Sequence, residues 1–232
     1  MRKMITIIII SLCGAILNIG ICTFSKGIGL PLYLDTILTI AVTLINGLFA
    51  GVLCGALTNL IIHSIWFYGW EVYLFSLCSI ATAVVTWLFM RFFPRELNMT
   101  SRQKTSPASS ADTKLNKIMD RIIVLILLSF TLCVTISVLG GIISTFIAAI
   151  NQPLIEEASL VGILARTMFG KDTPLIFKEI FSRIPINSID RLISAFTGFG
   201  IAVCVKKLFI RLAFNFGQSR TVKTGVERSG IF

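Results

Sequence analysis

The sequence predicts an all-α integral membrane protein of six transmembrane helices, with both termini in the cytoplasm. Three observations predict it. Of 232 residues, 55% are hydrophobic and only 14% charged, where a soluble domain carries about 25% charged residues. The mean hydropathy is +0.89. The apolar residues also gather into runs that match the roughly 20 residues a helix needs to cross a bilayer core about 30 Å thick. This composition excludes an ordinary soluble enzyme, a disordered tail and a nucleic-acid-binding domain.

Residues 4–24 form the first span. Arg2 and Lys3 precede it as in a signal peptide, but no A-x-A site follows. Cys13 and Cys22 follow Leu12 and Ile21, where a lipobox needs a small residue, so the segment reads as a retained span. Residues 32–66 are too long for one span. Gly47 and Gly51 lie near the middle and divide the run into a hairpin of two short spans, 32–48 and 50–66. Residues 72–92 are the fourth span. Residues 94–117 are rich in Ser, Thr, Lys and Arg and read as a cytoplasmic linker. The fifth span, 122–150, is long enough to tilt.

Residues 151–188 form an external amphipathic segment. Pro153 and Gly170 bracket one helix, and a second short helix is expected from Thr173-Pro174 to Ile184-Pro185. Helical periodicity leaves two uses open, a lid over an external cavity or interfacial packing. The sixth span is 189–209, and 215–232 is a flexible basic tail.

The charges give the orientation. With the N-terminus in the cytoplasm, 15 of the 21 Lys and Arg residues fall on the cytoplasmic side against four acids, leaving six basic and seven acidic residues outside. The net charge of +10 is thereby accounted for by the positive-inside rule, and no polyanionic partner is needed. Contact of the basic cytoplasmic segments with anionic lipid stays open.

Polar residues within spans cost free energy and need a reason. Asp35, Thr39, Thr43 and Asn46 fall on one face of span two. Asp35 reads as a functional residue; for the rest of the stripe, hydrogen bonding between helices is an equal alternative. Gly47, Gly51 and Gly55 repeat every four residues and most simply permit close helix packing. They lead on to Asn59, His63 and Trp66, followed by Trp70. These aromatic residues, with Tyr68 and Tyr73, suit an interfacial belt or a stacking wall. In span six, Asp190, Ser194 and Thr197 share a face, and Asp190 also suits a helix N-terminus.

Several chemistries are missing. No GxxxxGK[ST], HExxH or GxSxG motif occurs, and His63 is the only histidine. All six cysteines sit in apolar runs without CxxC spacing and read as small hydrophobes. No catalytic residue, cofactor or metal site is expected.

The stretch LPLYLDTILTIAVTLINGLFAGVLCGALTNLI (residues 30–61) resembles the substrate-binding (S) components of energy-coupling factor transporters. The resemblance rests on the proline-containing loop, Asp35 opening the second span, Thr39, the small-residue hairpin and Asn59. IPINSIDRLISAFTGFGIA (residues 184–202) resembles the start of that family's last span, with Asp190 at the matching position. The resemblance implies a protein without enzymatic activity in a bacterial or archaeal cytoplasmic membrane. It would capture a small organic, vitamin-like solute and associate with a transmembrane coupling protein and two ABC ATPases. The family's small-xxx-small docking pattern on span one is represented only partially, by Ser11 and Ala15. The implied contacts with solute are Asp35, Thr39, Asn59, His63, Trp70 and Asp190. Two other functions are compatible with the residues: a multi-span sensory or regulatory module, and an integral membrane enzyme acting on lipid through Asp35 or His63.

Overall fold

The computed structural model describes residues 2–65, 70–97, 111–151, 160–170 and 172–226, which form helices and turns with no strand among them. In order they are α1 (Arg2–Gly27), α2 (Ile37–Asn46), α3 (Leu48–Ile65), a 3-10 turn (Trp70–Phe75), α4 (Ser76–Phe92), α5 (Pro94–Leu97), α6 (Ala111–Asn151), α7 (Leu160–Met168), α8 (Leu175–Phe181) and α9 (Ile184–Val226). Five stretches are long and apolar enough to cross a membrane: Lys3–Gly27, Leu48–Ile65, Trp70–Phe92, Leu115–Ile150 and Leu175–Phe209. Their outer faces are apolar. In α1, Met4, Ile5, Ile8, Ile9, Leu12, Ile16 and Leu17 are all exposed, a surface that only lipid or a partner helix would accept. The protein is embedded in a membrane.

Contacts between helices fix their directions. Ser11 in α1 meets Ala50 and Asn18 meets Thr58, so α1 and α3 run parallel. Thr43 and Thr39 in α2 face Gly51 and Gly55 in α3 in reverse order, so those two run antiparallel. Ala83 and Ser79 of α4 face the same two glycines, also in reverse. In α6, Ser137 and Ser144 meet Asn187 of α9 and Arg183 just before it, so α9 runs antiparallel to α6. α1 and α3 therefore run one way and α2 and α4 the other.

α2 departs from expectation. α2 has 10 residues, where the sequence suggested a span over 32–48. At 1.5 Å per residue it is about 15 Å long, half a bilayer core. The chain before it is non-helical. Residues 28–36 descend into the bundle until Tyr33 and Asp35 share a cavity with Cys22 of α1 and Ile136 of α6. Irregular backbone at membrane depth is tolerated where protein buries it or where it lines a cavity, and both hold here. Leu34 takes a left-handed conformation, with φ 48°, which a leucine adopts only when its surroundings hold it there.

The glycine ridge divides. Gly51 and Gly55 permit close packing: a Cβ on Gly51 would collide with Thr43 Oγ1, and one on Gly55 would lie 3.0 Å from the Ser79 carbonyl. Gly47 packs against nothing. With φ 87° it ends α2, its N–H donating to the Thr43 carbonyl, and so makes the turn into α3. Gly198 in α9 is a further close approach, where a Cβ would stand 2.7 Å from the Ile37 carbonyl.

Other boundaries also shift. Within the expected linker 94–117, Pro94–Leu97 is a short helix with Leu97 fully buried, and α6 already begins at Ala111. No proline interrupts the chain between Pro107 and Pro153, so the helix can extend beyond its apolar part. The same reasoning applies to α9, which continues to Val226 through most of the expected flexible tail, since no proline follows Pro185. Pro185 lies in the first turn of α9, where its missing N–H costs nothing; it does not end the preceding helix. Of the external segment, residues 152–159 and 171 lie outside the described residues.

Ser11 and Ala15, suggested for partner docking, are both fully buried. Ser11 Oγ donates to the Ala50 carbonyl at 3.0 Å. Ser11 thus helps seat α1 against α3, and neither small residue lies on the exposed face of α1.

Candidate functional site

Near the pole where α3 ends and α9 begins lies a cavity of about 350 Å³. Each neighbouring element supplies part of its wall. α1 gives Cys22 and Lys26, and the descending loop gives Tyr33 and Asp35. α3 gives Asn59, Ile62 and His63. The 3-10 turn and α4 add Val72, Phe75 and Cys78, and α6 adds Ile136, Gly140 and Ser144. The remainder is Val161, Glu179, Arg183, Asn187 and Arg191, from α7, α8 and the start of α9.

The loop is held from below. Asp190 is fully buried, and its Oδ1 accepts a hydrogen bond from the Leu34 N–H at 2.9 Å. Its Oδ2 lies 2.8 Å from Arg191 Nη2. Arg191 in turn donates to Thr36 Oγ1 and stands 3.7 Å from Asp35 Oδ1. One guanidinium thus joins two carboxylates and the first turn of α2. A buried charge this deep is tolerable only with such partners. Two atoms of the cluster, Asp35 Oδ1 and Arg191 Nε, are shielded from solvent and make no hydrogen bond among the described residues. An unsatisfied buried polar atom costs about 1–3 kcal/mol.

A second cluster holds the roof. Glu179 of α8 is buried, and Arg183 Nη2 lies 3.0 Å from its Oε2 and 2.6 Å from Ser144 Oγ of α6. α8 turns Glu179 inward and leaves Leu175, Ile176, Phe177 and Phe181 exposed, a pattern suited to lipid outside and a polar interior. Gly141 of α6 admits α8 closely: a Cβ there would lie 2.9 Å from the Ile180 nitrogen. Asn187 Nδ2 donates to Ser137 Oγ at 2.9 Å and completes the contact between α6 and α9.

Of the residues singled out in the sequence, Asp35, Asn59 and His63 come together on the cavity wall. Asn59 Nδ2 donates to Ser79 Oγ, and the His63 ring meets the Tyr73 ring edge-on at 5.9 Å between centroids. Three others lie off the wall. Thr39 is fully buried, accepting from Asn18 Nδ2 at 3.2 Å. Asn18 Nδ2 also reaches Thr58 Oγ1, and its Oδ1 accepts from the Leu38 N–H at 2.8 Å. Asn18 thus ties α1, α2 and α3 together, and Thr39 belongs to that tie. Trp70 is 62% exposed; its turn presents Val72 and Phe75 to the cavity instead. Asp190 lies behind the wall and acts through Leu34 and Arg191. Because α9 begins at Ile184, Asp190 lies inside the helix and not at its N-terminus.

The sequence reading passed over Arg183, Arg191, Glu179 and Tyr33 as contacts. A signal for two of them was present. Arg183, Asn187 and Arg191 recur every four residues and so line one helical face. The expected break at Pro185 concealed that spacing. Among the described residues no group of three or more His, Cys, Asp or Glu is arranged to hold a metal ion.

No protein-family model, curated protein or solved structure matches this chain.

Proposed function

We propose that the chain is the membrane-embedded solute-binding subunit of an ATP-driven importer, of the energy-coupling factor kind that its sequence resembles. In this reading it captures a vitamin-like organic solute at the outer face of a bacterial or archaeal cytoplasmic membrane. A separate transmembrane coupling protein and two ABC ATPases supply the energy, since this chain carries no nucleotide-binding motif. Both ends of the chain, with most of its Lys and Arg, face the cytoplasm.

The observation that carries the reading is the cavity. Its volume of about 350 Å³ is at the small end of the 300–1,000 Å³ that ligand pockets occupy. Its wall sets aromatic and aliphatic side chains beside polar and charged groups that can fix a ligand's orientation. Asp35, Asn59 and His63, read from the sequence as solute contacts, lie on that wall.

The test is purification of the tagged protein from its native membranes in a gentle detergent, with mass spectrometry of what accompanies it. A membrane coupling protein together with two ABC ATPases is the expected result. A kinase or other signalling protein without ATPases would replace this reading with the sensory module.

A further inference from the structure

We infer that the ends of α6 and α9 farthest from the cavity, on the cytoplasmic side in the orientation proposed above, form a docking site for an anionic phospholipid. The two helices run antiparallel in a register that their contacts give. Ser137 meets Asn187, Cys133 meets Ser188, and the Arg121 guanidinium lies over the Phe199 ring at 5.7 Å. Up to that level the two helices share an apolar core, with Leu125, Leu128 and Leu132 on α6 and Ala195, Phe199 and Ala202 on α9 all buried. Beyond it both turn cationic. On α6, Lys117 lies one turn past Arg121. On α9, Lys207 and Arg211 continue the four-residue spacing of Phe199 and Val203, with Lys206 beside them. The Nε of Arg121 donates to the Glu96 carbonyl at 3.1 Å, which fixes the head of the α6 row.

The protein supplies few counter-ions here. α6 up to Arg121 and α9 from Val203 onward carry eight Lys and Arg residues against Asp112 and Asp120. The ion pairs of Arg183 and Arg191 lie at the other pole, and among the described residues Arg121, Lys206, Lys207 and Arg211 pair with no carboxylate. Like charges on two packed helices repel, and an anion between them relieves the repulsion. A phospholipid phosphate is the anion that a membrane supplies at this depth. The neighbouring side chains favour an amphiphile over a free phosphate. Ile118 and Met119 of α6 and Leu208 and Phe209 of α9 are exposed at the levels of the cations, and acyl chains cover such a surface. A zwitterionic headgroup brings a cation of its own and gains less from the same Lys and Arg residues. Such a site stands apart from the importer reading, since it lies at the opposite pole from the cavity.

The experiment is native mass spectrometry of the full chain, released from a neutral detergent after incubation with equal amounts of dioleoylphosphatidylglycerol and dioleoylphosphatidylcholine. The expected result is retention of phosphatidylglycerol over phosphatidylcholine by about tenfold. Glycerol 3-phosphate in large excess is expected not to displace it. Lys207→Gln combined with Arg211→Gln, both at exposed positions, is expected to cut the preference to about twofold or less. Lys3→Gln combined with Arg91→Gln removes the same charge from α1 and α4 and is expected to leave the preference intact. Equal retention of the two lipids by the wild-type protein would overturn the assignment. So would an equal loss in both double variants, which would show a diffuse effect of charge in place of a site. Displacement by glycerol 3-phosphate would make the ligand a soluble anion, and displacement by an oligoglutamate peptide would give the surface to an acidic protein; either result sinks the lipid. The wild-type preference and the two competitions decide even if a variant fails to fold.

Discussion

Asp190 holds Leu34. Its buried carboxylate accepts the Leu34 N–H at 2.9 Å across 156 positions of sequence, and Leu34 is the described non-glycine residue with positive φ, at 48°. The last long helix thereby fixes the loop that carries Tyr33 and Asp35 into the cavity. Asp190→Ala would leave the Leu34 N–H without its acceptor and Arg191 without its nearest carboxylate. Breaking a buried pair in this way costs about 3–5 kcal/mol. The variant is expected to melt markedly lower in detergent and to lose solute binding. An unchanged melting temperature would show that the loop is held by other contacts.

Trp70→Ala is expected to leave solute affinity within about twofold, because Trp70 is 62% exposed and off the cavity wall. Asn59→Leu, by contrast, removes a wall residue that also binds Ser79, and should weaken binding by about tenfold or more. Titration of both variants with the solute recovered from native membranes checks the contrast. A larger loss from Trp70→Ala than from Asn59→Leu would return the aromatic residue to the site.

Ser11→Ala removes one buried hydrogen bond, to the Ala50 carbonyl, and should cost about 1 kcal/mol of stability. It should not alter recovery of partner proteins. A loss of partners at unchanged stability would place a docking face where the structure has an internal contact.

Two glycines of the hairpin and one of α1 are expected to behave differently. Gly51→Val drives a side chain into Thr43 and should abolish a monodisperse peak in size-exclusion chromatography. Gly47→Ala meets no neighbour but retains φ 87° and ψ −173°, a region essentially confined to glycine, and should cost about 1–3 kcal/mol. Gly20→Ala, with open space around it, is the neutral control. Equal effects at all three positions would contradict the close approach of α2 and α3.

Much of this arrangement was legible in the sequence. Long apolar runs identify α1, α3, α4, α6 and α9, because the cost of exposing peptide groups to lipid leaves few alternatives to a helix. Asp35, Asn59 and His63 stand out as polar groups in the wrong solvent, and they share a cavity. What was hidden depends on three-dimensional contacts. The length of α2 is limited by the loop that Asp190 holds, and no local pattern reports a hydrogen bond from a residue so far along the chain. Thr39 and Asp35 lie one turn apart on the same face and look equivalent. One faces Asn18 and the other a cavity, a distinction set by the neighbouring helices. Trp70 illustrates the converse: an aromatic residue beside a site in sequence need not face it.

The cavity is also the last part of the molecule to exist during biosynthesis. Chains emerge from the ribosome N-terminus first, so α1, α2 and α3 can enter the bilayer and pair through Asn18 before α9 has been made. Until then Asp35 waits in the membrane without the guanidinium that partners it, and Leu34 has no carboxylate to hold its backbone. A nascent protein halted before residue 190 would carry most of its helices and no assembled pocket. Quality control that senses an unpaired carboxylate within the bilayer would therefore find its target in incomplete chains and lose it once α9 is in place.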